Sequence, residues 1–124
     1  MRYGFILVAA ASLAACGFVR DEKIDGPYRF VATDSKQDAG VCFALVDGNC
    51  VGRIPERVVA VAYNSDFVVG EVRQARGVTS FYYVIRKVDG PLVDPSVSVR
   101  GPFDAIAFEA ERSRLGLPEP KPIS

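Results

Sequence analysis

The side chains best suited to chemistry in this chain are its three cysteines, Cys16, Cys42 and Cys50. The chain contains no histidine, so the commonest general base, the nucleophile pairs that rely on it and most metal sites lack their usual side chain. Two thiols without a histidine leave a zinc shell incomplete, and the sequence has no Cys-x-x-Cys redox motif or glycine-rich phosphate loop. We therefore predict no catalytic residue, no metal site, no cofactor and no enzyme activity.

Cys16 follows a segment that has the order of a signal peptide. Arg2 supplies a positive charge, residues 5–15 are apolar except for Ser12, and two alanines stand directly before the cysteine. The apolar run is shorter than the ~20 residues that span a bilayer, and a core helix ends in a cap or turn rather than at Ala-Ala-Cys. The closest alternative is a plain secretory signal that is cut near Cys16.

The run Leu13-Ala14-Ala15-Cys16 resembles the lipobox of a bacterial lipoprotein signal peptide. The resemblance implies cleavage between Ala15 and Cys16, a diacylglycerol on the Cys16 sulfur and an acyl group on the new amino terminus. Two or more acyl chains anchor a protein stably, whereas one binds only marginally. Gly17 follows in place of aspartate, which under the enteric sorting rule implies the outer membrane, facing the periplasm. The first expected partner is therefore the membrane, contacted through the lipid on Cys16.

Cys42 and Cys50 are the remaining pair of cysteines, and in the oxidising compartment expected for a lipoprotein they are a candidate disulfide. They flank the turn signal Asp47-Gly48-Asn49 between two β-prone runs. A two-residue turn at Asp47-Gly48 would set Cys50 opposite Leu45, so a Cys42–Cys50 disulfide requires a wider or bulged loop. The alternative is a pair of small buried hydrophobic residues.

The 124-residue chain is long enough for one domain with a modest core. It divides into a signal peptide (1–15), a lipidated N-terminus and tether (16–26), a single globular domain (27–117) and a proline-rich tail (118–124). The 15 basic residues balance the 15 acidic residues. The sequence therefore lacks the basic excess of a nucleic-acid-binding protein and the polybasic patch that favours anionic lipid.

Most of the predicted domain has strand signals. The continuous apolar run Val58–Ala62 predicts a central strand that is covered on both faces. The predicted strands are Tyr28–Thr33, Val41–Val46, Cys50–Ile54, Arg57–Tyr63, Phe67–Arg73 and Thr79–Val88, with a short edge strand at Val97–Val99.

A helix is predicted from Asp104, its N-cap, to Leu115, and Gly116 ends it. Strands followed by one late helix favour an α+β fold, an antiparallel, meander-like sheet of about five or six strands with the helix packed on one face. The alternative is a small β-barrel that the helix caps. We expect the buried helix face to contain Phe103, Ile106, Ala107, Ala110 and Leu117. Phe108 and Leu115 form a second stripe, which either widens that face, the interpretation that we favour, or contacts a partner.

A glycosidase uses a pair of carboxylates as its acid and base, and two pairs of carboxylates lie close together in this sequence. Asp34 and Asp38 fall in a polar loop, and Glu109 and Glu111 point in different directions from a helix. We interpret all four as solvated surface charges.

Tyr82 and Tyr83, followed by Arg86 and Lys87, are compatible with an aromatic and cationic surface for a carbohydrate or protein. The interpretation that we favour is a strand with a buried aromatic face and charged residues where it ends.

Several runs together resemble a group of short, uncharacterised lipoproteins of Gram-negative bacteria that carry a domain of unknown function. The resemblance implies a location in the cell envelope and no catalytic residues. The runs are Asp25-Gly26-Pro27-Tyr28-Arg29, Val58–Val69 with its turn Tyr63-Asn64-Ser65-Asp66, Phe81-Tyr82-Tyr83, Gly101-Pro102-Phe103 and Leu115-Gly116-Leu117-Pro118.

The function expected from these observations is that of a non-catalytic interaction module, tethered to the membrane, that binds another envelope protein. The alternative is a lipoprotein that inhibits or confers immunity to a periplasmic toxin or cell-wall hydrolase, or excludes a phage. A small anchored domain suits such blocking tasks because the anchor raises its effective concentration at the membrane.

Overall fold

The computed structural model describes residues 20–33, 35 and 38–123. The predicted signal peptide, the lipobox with Ala15 and Cys16, the first part of the predicted tether and Asp34 lie outside these residues. Within the described part, the chain forms two antiparallel sheets, and one long helix packs on the second sheet.

The strands are β1 (Arg20–Asp25), β2 (Tyr28–Ala32), β3 (Gly40–Ala44), β4 (Cys50–Ile54), β5 (Val58–Tyr63), β6 (Phe67–Arg73), β7 (Thr79–Ile85), β8 (Val99–Phe103) and β9 (Lys121–Pro122), and the helices are α1 (Pro95–Ser98) and α2 (Ala105–Leu115). The first sheet has four strands in the order β1-β2-β3-β4, and the second has five in the order β8-β7-β6-β5-β9. A 3₁₀ turn at Arg86–Val88 and the single-turn helix α1 connect β7 to β8.

The antiparallel α+β prediction is confirmed, but its strand count is too low. Two sheets replace the single sheet of five or six strands, and neither closes into a barrel within the described residues. The prediction of a tether over residues 16–26 is wrong for residues 20–25. These residues form strand β1, and the chain turns at Gly26, where φ is 58°, so that β2 pairs with β1. Part of the predicted tail pairs with β5 as β9.

The main core lies between the two sheets. Its buried side chains come from β2, β3 and β4 on one side and from β5, β6 and β7 on the other. Gly70 of β6 leaves space for Ile54 of β4, because a Cβ at Gly70 would lie 2.9 Å from Ile54 Cδ1. This close approach explains a glycine in the interior of a strand.

The strand that is buried on both faces is β6, and the prediction that β5 takes this place is wrong. β6 is the middle strand of five, with Val68 and Val72 in the main core. Val69 belongs to a second cluster, the cluster beneath α2, whose buried residues are Val69, Tyr83, Phe108 and Leu117. β5 is second from the edge, and its first residues alternate between buried and half-buried. A short apolar run indicates β propensity, but it does not determine the position of the strand within its sheet.

The boundaries of α2 are confirmed, and its buried face is corrected. The Asp104 carboxylate accepts a hydrogen bond from the Ala107 backbone, and Gly116 ends the helix with a φ of 71°. Phe108 is buried, whereas Ile106 is 85% exposed and Ala107 and Ala110 are also exposed. Phe108 stacks on Phe81 with ring centroids 4.5 Å apart, and two residues along a helix turn a side chain by about 200°.

The second predicted stripe, Phe108 and Leu115, is therefore the face of α2 that packs on the sheet. Leu115 packs against the same cluster as Phe108, and Leu117 is buried after the helix ends. Among the described helices, none has the length and apolar character needed to cross a membrane.

Candidate functional site

Cys42 and Cys50 form a disulfide that joins β3 to β4, with their Cα atoms 5.5 Å apart. The Leu45 N–H donates to the Asn49 carbonyl at 2.7 Å, so three residues form the loop instead of two. Ala44 lies opposite Cys50 and Cys42 lies opposite Gly52, which makes the cysteines diagonal neighbours. The wider loop that the spacing required is confirmed.

The aromatic and cationic surface at the end of β7 does not form. Tyr82 packs toward the main core and Tyr83 toward the cluster beneath α2. Arg86 donates to Asp25 at 2.8 Å and to the Asn64 carbonyl at 2.7 Å. The interpretation as a strand with buried aromatic residues is confirmed.

Three of the four paired carboxylates lie among the described residues, and each makes a local contact; Asp34 lies outside them. Asp38 accepts a hydrogen bond from the Ser35 backbone at 3.1 Å, which is a local turn contact. Glu109 pairs with Arg112 at 3.5 Å and Glu111 pairs with Arg114 at 2.9 Å. In the described ranges, no three His, Cys, Asp or Glu side chains lie close enough to hold a metal ion.

Sequence reasoning missed a buried ion pair between Arg53 of β4 and Asp89, whose side chains are both 0% exposed. Arg53 Nε donates to both Asp89 oxygens at 3.0 Å, and its two Nη atoms donate to the carbonyls of Gly52, Gly90 and Val93. Asp89 also accepts from the Tyr28 hydroxyl at 2.7 Å and from the Ser98 hydroxyl at 2.9 Å.

Burial alone would raise the pKa of Asp89, but the hydrogen bonds, that of Arg53 first, outweigh it and hold the pKa below its usual value. Burial and the bond to Asp89 raise the pKa of Tyr28 above its usual range. Because these groups are occupied and enclosed, the cluster holds the connection after β7 against the first sheet. No sequence signal indicated it, since Asp89-Gly90-Pro91 has the composition of an ordinary turn.

A second tyrosine network joins β7 to α2. The Tyr83 hydroxyl donates to Glu111 at 2.7 Å, and Arg114 donates to the same Glu111 oxygen at 2.9 Å. Burial and the bond to Glu111 raise the pKa of Tyr83 to about 12. The Arg114 side chain is 62% exposed, so this network lies at the surface.

The best candidate for a binding site is a groove of about 500 Å³ between β1 of the first sheet and β5 with the C-terminal segment of the second. We call it the seam groove. Its apolar floor is formed by Ile24, Phe30, Val61, Ala62, Pro118 and Ile123. Its polar rim is formed by Glu22, Lys23, Tyr63, Glu119 and Lys121.

The floor of the seam groove is continuous with the main core. Phe30 is a member of that core, and Ile24, Val61 and Ile123 pack against it. The C-terminal segment is held at one side of the groove, where the Ile123 N–H donates to the Val59 carbonyl at 3.1 Å. No sequence pattern indicates the groove directly, because two of its walls coincide with the predicted tether and the predicted tail.

No protein-family model, curated protein or solved structure matches this chain.

Proposed function

We propose that this protein is a non-catalytic binding module, anchored to the bacterial outer membrane by a lipid on Cys16, that holds an apolar group of another envelope component in the seam groove. The observation that carries the proposal is the groove. Small-molecule sites are concave and mostly apolar, with a few polar groups that fix orientation, and the seam groove has that composition.

The start of β1 supports the same proposal, because it shortens the tether. Cys16 lies only four residues before Arg20, and four extended residues reach roughly 14 Å. A lipid on Cys16 would therefore keep β1, and with it the seam groove, within a short distance of the membrane surface.

A photo-crosslinking amino acid placed at Tyr63 tests the groove in intact cells. Tyr63 lies on the groove rim and is 49% exposed, and Val46, fully exposed at the tip of the β3–β4 loop, is the matched control. We expect a discrete adduct with an envelope component from position 63 and none from position 46. The same adducts from both positions, or none from either, would contradict the proposal.

The anchor is tested separately by Cys16→Ser. We expect the variant to leave the membrane fraction, because it lacks the sulfur to which the lipid is attached. Unchanged fractionation would exclude lipid attachment at Cys16 and would leave the groove to be judged by the crosslinking result.

A further inference from the structure

We infer that the seam groove binds the acyl chain of a long-chain fatty acid, with the carboxylate at the lysines of the rim. This inference rests on the proposed function, since it names the ligand class of the same site. Three features of the groove carry it: the floor, the two strands at its borders and the charges on its rim.

The floor matches an alkyl chain. Phe30 is only 4% exposed and belongs to the main core, and the aliphatic side chains of Ile24, Val61 and Ile123 line the same groove and pack against that core. Burial of apolar surface against such side chains is favourable and needs no directional contact. A volume of about 500 Å³ lies within the range of small-molecule sites.

The borders favour an alkyl chain over a peptide. β1 begins with the four charged residues Arg20–Lys23, and charges on an edge strand oppose the addition of another strand. On the other border, β9 pairs only with Ala60 and Val61, and Pro118, Pro120 and Pro122 have no N–H to donate. A bound peptide would bring backbone donors and acceptors that need partners, whereas an acyl chain brings none.

The rim favours an anionic head. Glu22 is paired with Arg20, whereas neither Lys23 nor Lys121 forms an ion pair with any described carboxylate. Glu119 is the other carboxylate of the rim. Two lysines and one remaining carboxylate leave the rim with an excess of one positive charge, which a single carboxylate head would neutralise.

The test titrates the full chain carrying Cys16→Ser, which has no lipid of its own, with cis-parinaric acid, a fluorescent fatty acid, and with its uncharged methyl ester. We expect Lys23→Glu/Lys121→Glu to weaken binding of the acid about tenfold and to leave binding of the ester unchanged. Lys87→Glu is the matched control, because Lys87 is exposed and is not part of the groove. Ala62→Phe, which fills the floor, should weaken binding of both probes.

The inference is overturned if neither probe binds, if Ala62→Phe leaves both affinities unchanged, or if Lys87→Glu weakens the acid as much as the double variant does. It is also overturned if lysophosphatidylglycerol displaces the acid at lower concentration than oleate does, since the ligand would then be a phospholipid. A protein adduct from position 63, with no binding of cis-parinaric acid or its methyl ester, would contradict this inference and remain consistent with the proposed function. No adduct from that position would count against the proposed function itself.

Discussion

The molecule contains the same chemical arrangement twice, in two different surroundings. Tyr28 donates to Asp89 at 2.7 Å and Tyr83 donates to Glu111 at 2.7 Å, and each carboxylate also accepts from an arginine. The two networks differ in their exposure to solvent. The first ion pair is fully enclosed, whereas the side chains of the second are 21% and 62% exposed.

Burial changes what such a network does for the fold. In the enclosed network, Arg53 reaches two backbone carbonyls beyond Asp89, so one side chain of β4 fixes the segment that leads from β7 to α1. The exposed network lies beside the stacked rings of Phe81 and Phe108, which pack α2 on the sheet. We therefore expect polar groups to hold the segment after β7 against the first sheet, and aromatic packing to hold α2 on the second sheet.

The largest expected effect is that of Asp89→Asn, which leaves the Arg53 charge enclosed without a counter-charge. Loss of one partner from a buried ion pair costs about 3–5 kcal/mol, a large share of the 5–15 kcal/mol that is typical of a whole domain. The measurement is the free energy of unfolding from urea denaturation. A loss below about 1 kcal/mol would show that water or another group replaces Asp89.

A double-mutant cycle keeps this prediction testable if the single variant unfolds. Arg53→Met combined with Asp89→Asn removes both charges, so we expect the pair to cost less than the sum of the two single changes. Additive costs would mean that the two side chains stabilise the fold independently.

The next effect tests the aromatic side of the comparison. Phe108→Ala removes a ring that is 3% exposed and stacked on Phe81, and such a truncation costs about 3 kcal/mol. Ile106→Ala on the same helix is the control, because Ile106 is 85% exposed and a change there stays within about 0.5 kcal/mol. A larger loss from Glu111→Gln than from Phe108→Ala would reverse our assignment of what packs α2.

The disulfide lies on the hairpin that carries Arg53. Replacing both Cys42 and Cys50 with serine removes a cross-link across a separation of eight residues, for which loop entropy gives about 2.5 kcal/mol. We expect the enclosed network to survive, so the amides of residues 52–54 should stay protected from hydrogen exchange. Loss of that protection would mean that the disulfide, rather than Arg53, holds β4 in register.

The parts of the fold that short-range signals determine could be predicted from the sequence. Asp104 is the local start signal for α2 and Gly116 is its local stop signal, because capping depends on residues within one turn. The β-branched and aromatic runs from β2 to β7 were likewise recognisable, because strand propensity is a local property. The face of α2 was not predictable from its periodicity, since stacking with Phe81 selects it.

The candidate site was beyond sequence reasoning for a related reason. The seam groove needs β1 and the C-terminal segment, and charges or prolines mask the strand pattern in both. The enclosed ion pair joins residues 36 positions apart, so it exists only after the sheets have packed. The tyrosine–carboxylate–arginine networks at Asp89 and at Glu111 have the same chemistry, and they differ in how deeply the fold buries them.

The smallest expected effect distinguishes the two tyrosines at high pH. The pKa of Tyr83 is raised from 10.0 to about 12, so its contribution to the free energy of unfolding is complete below about pH 10 and is lost as the pH rises toward 12. Phenolate absorbance should show one titration step near pH 12 that Tyr83→Phe removes while the protein is still folded. Tyr28, whose hydroxyl is held by the enclosed Asp89, should ionise only when the chain unfolds, so Tyr28→Phe should remove absorbance from the unfolding step instead. If Tyr28→Phe and Tyr83→Phe each remove the titration step near pH 12 from the folded protein, then burial does not protect Tyr28 from ionisation more than it protects Tyr83.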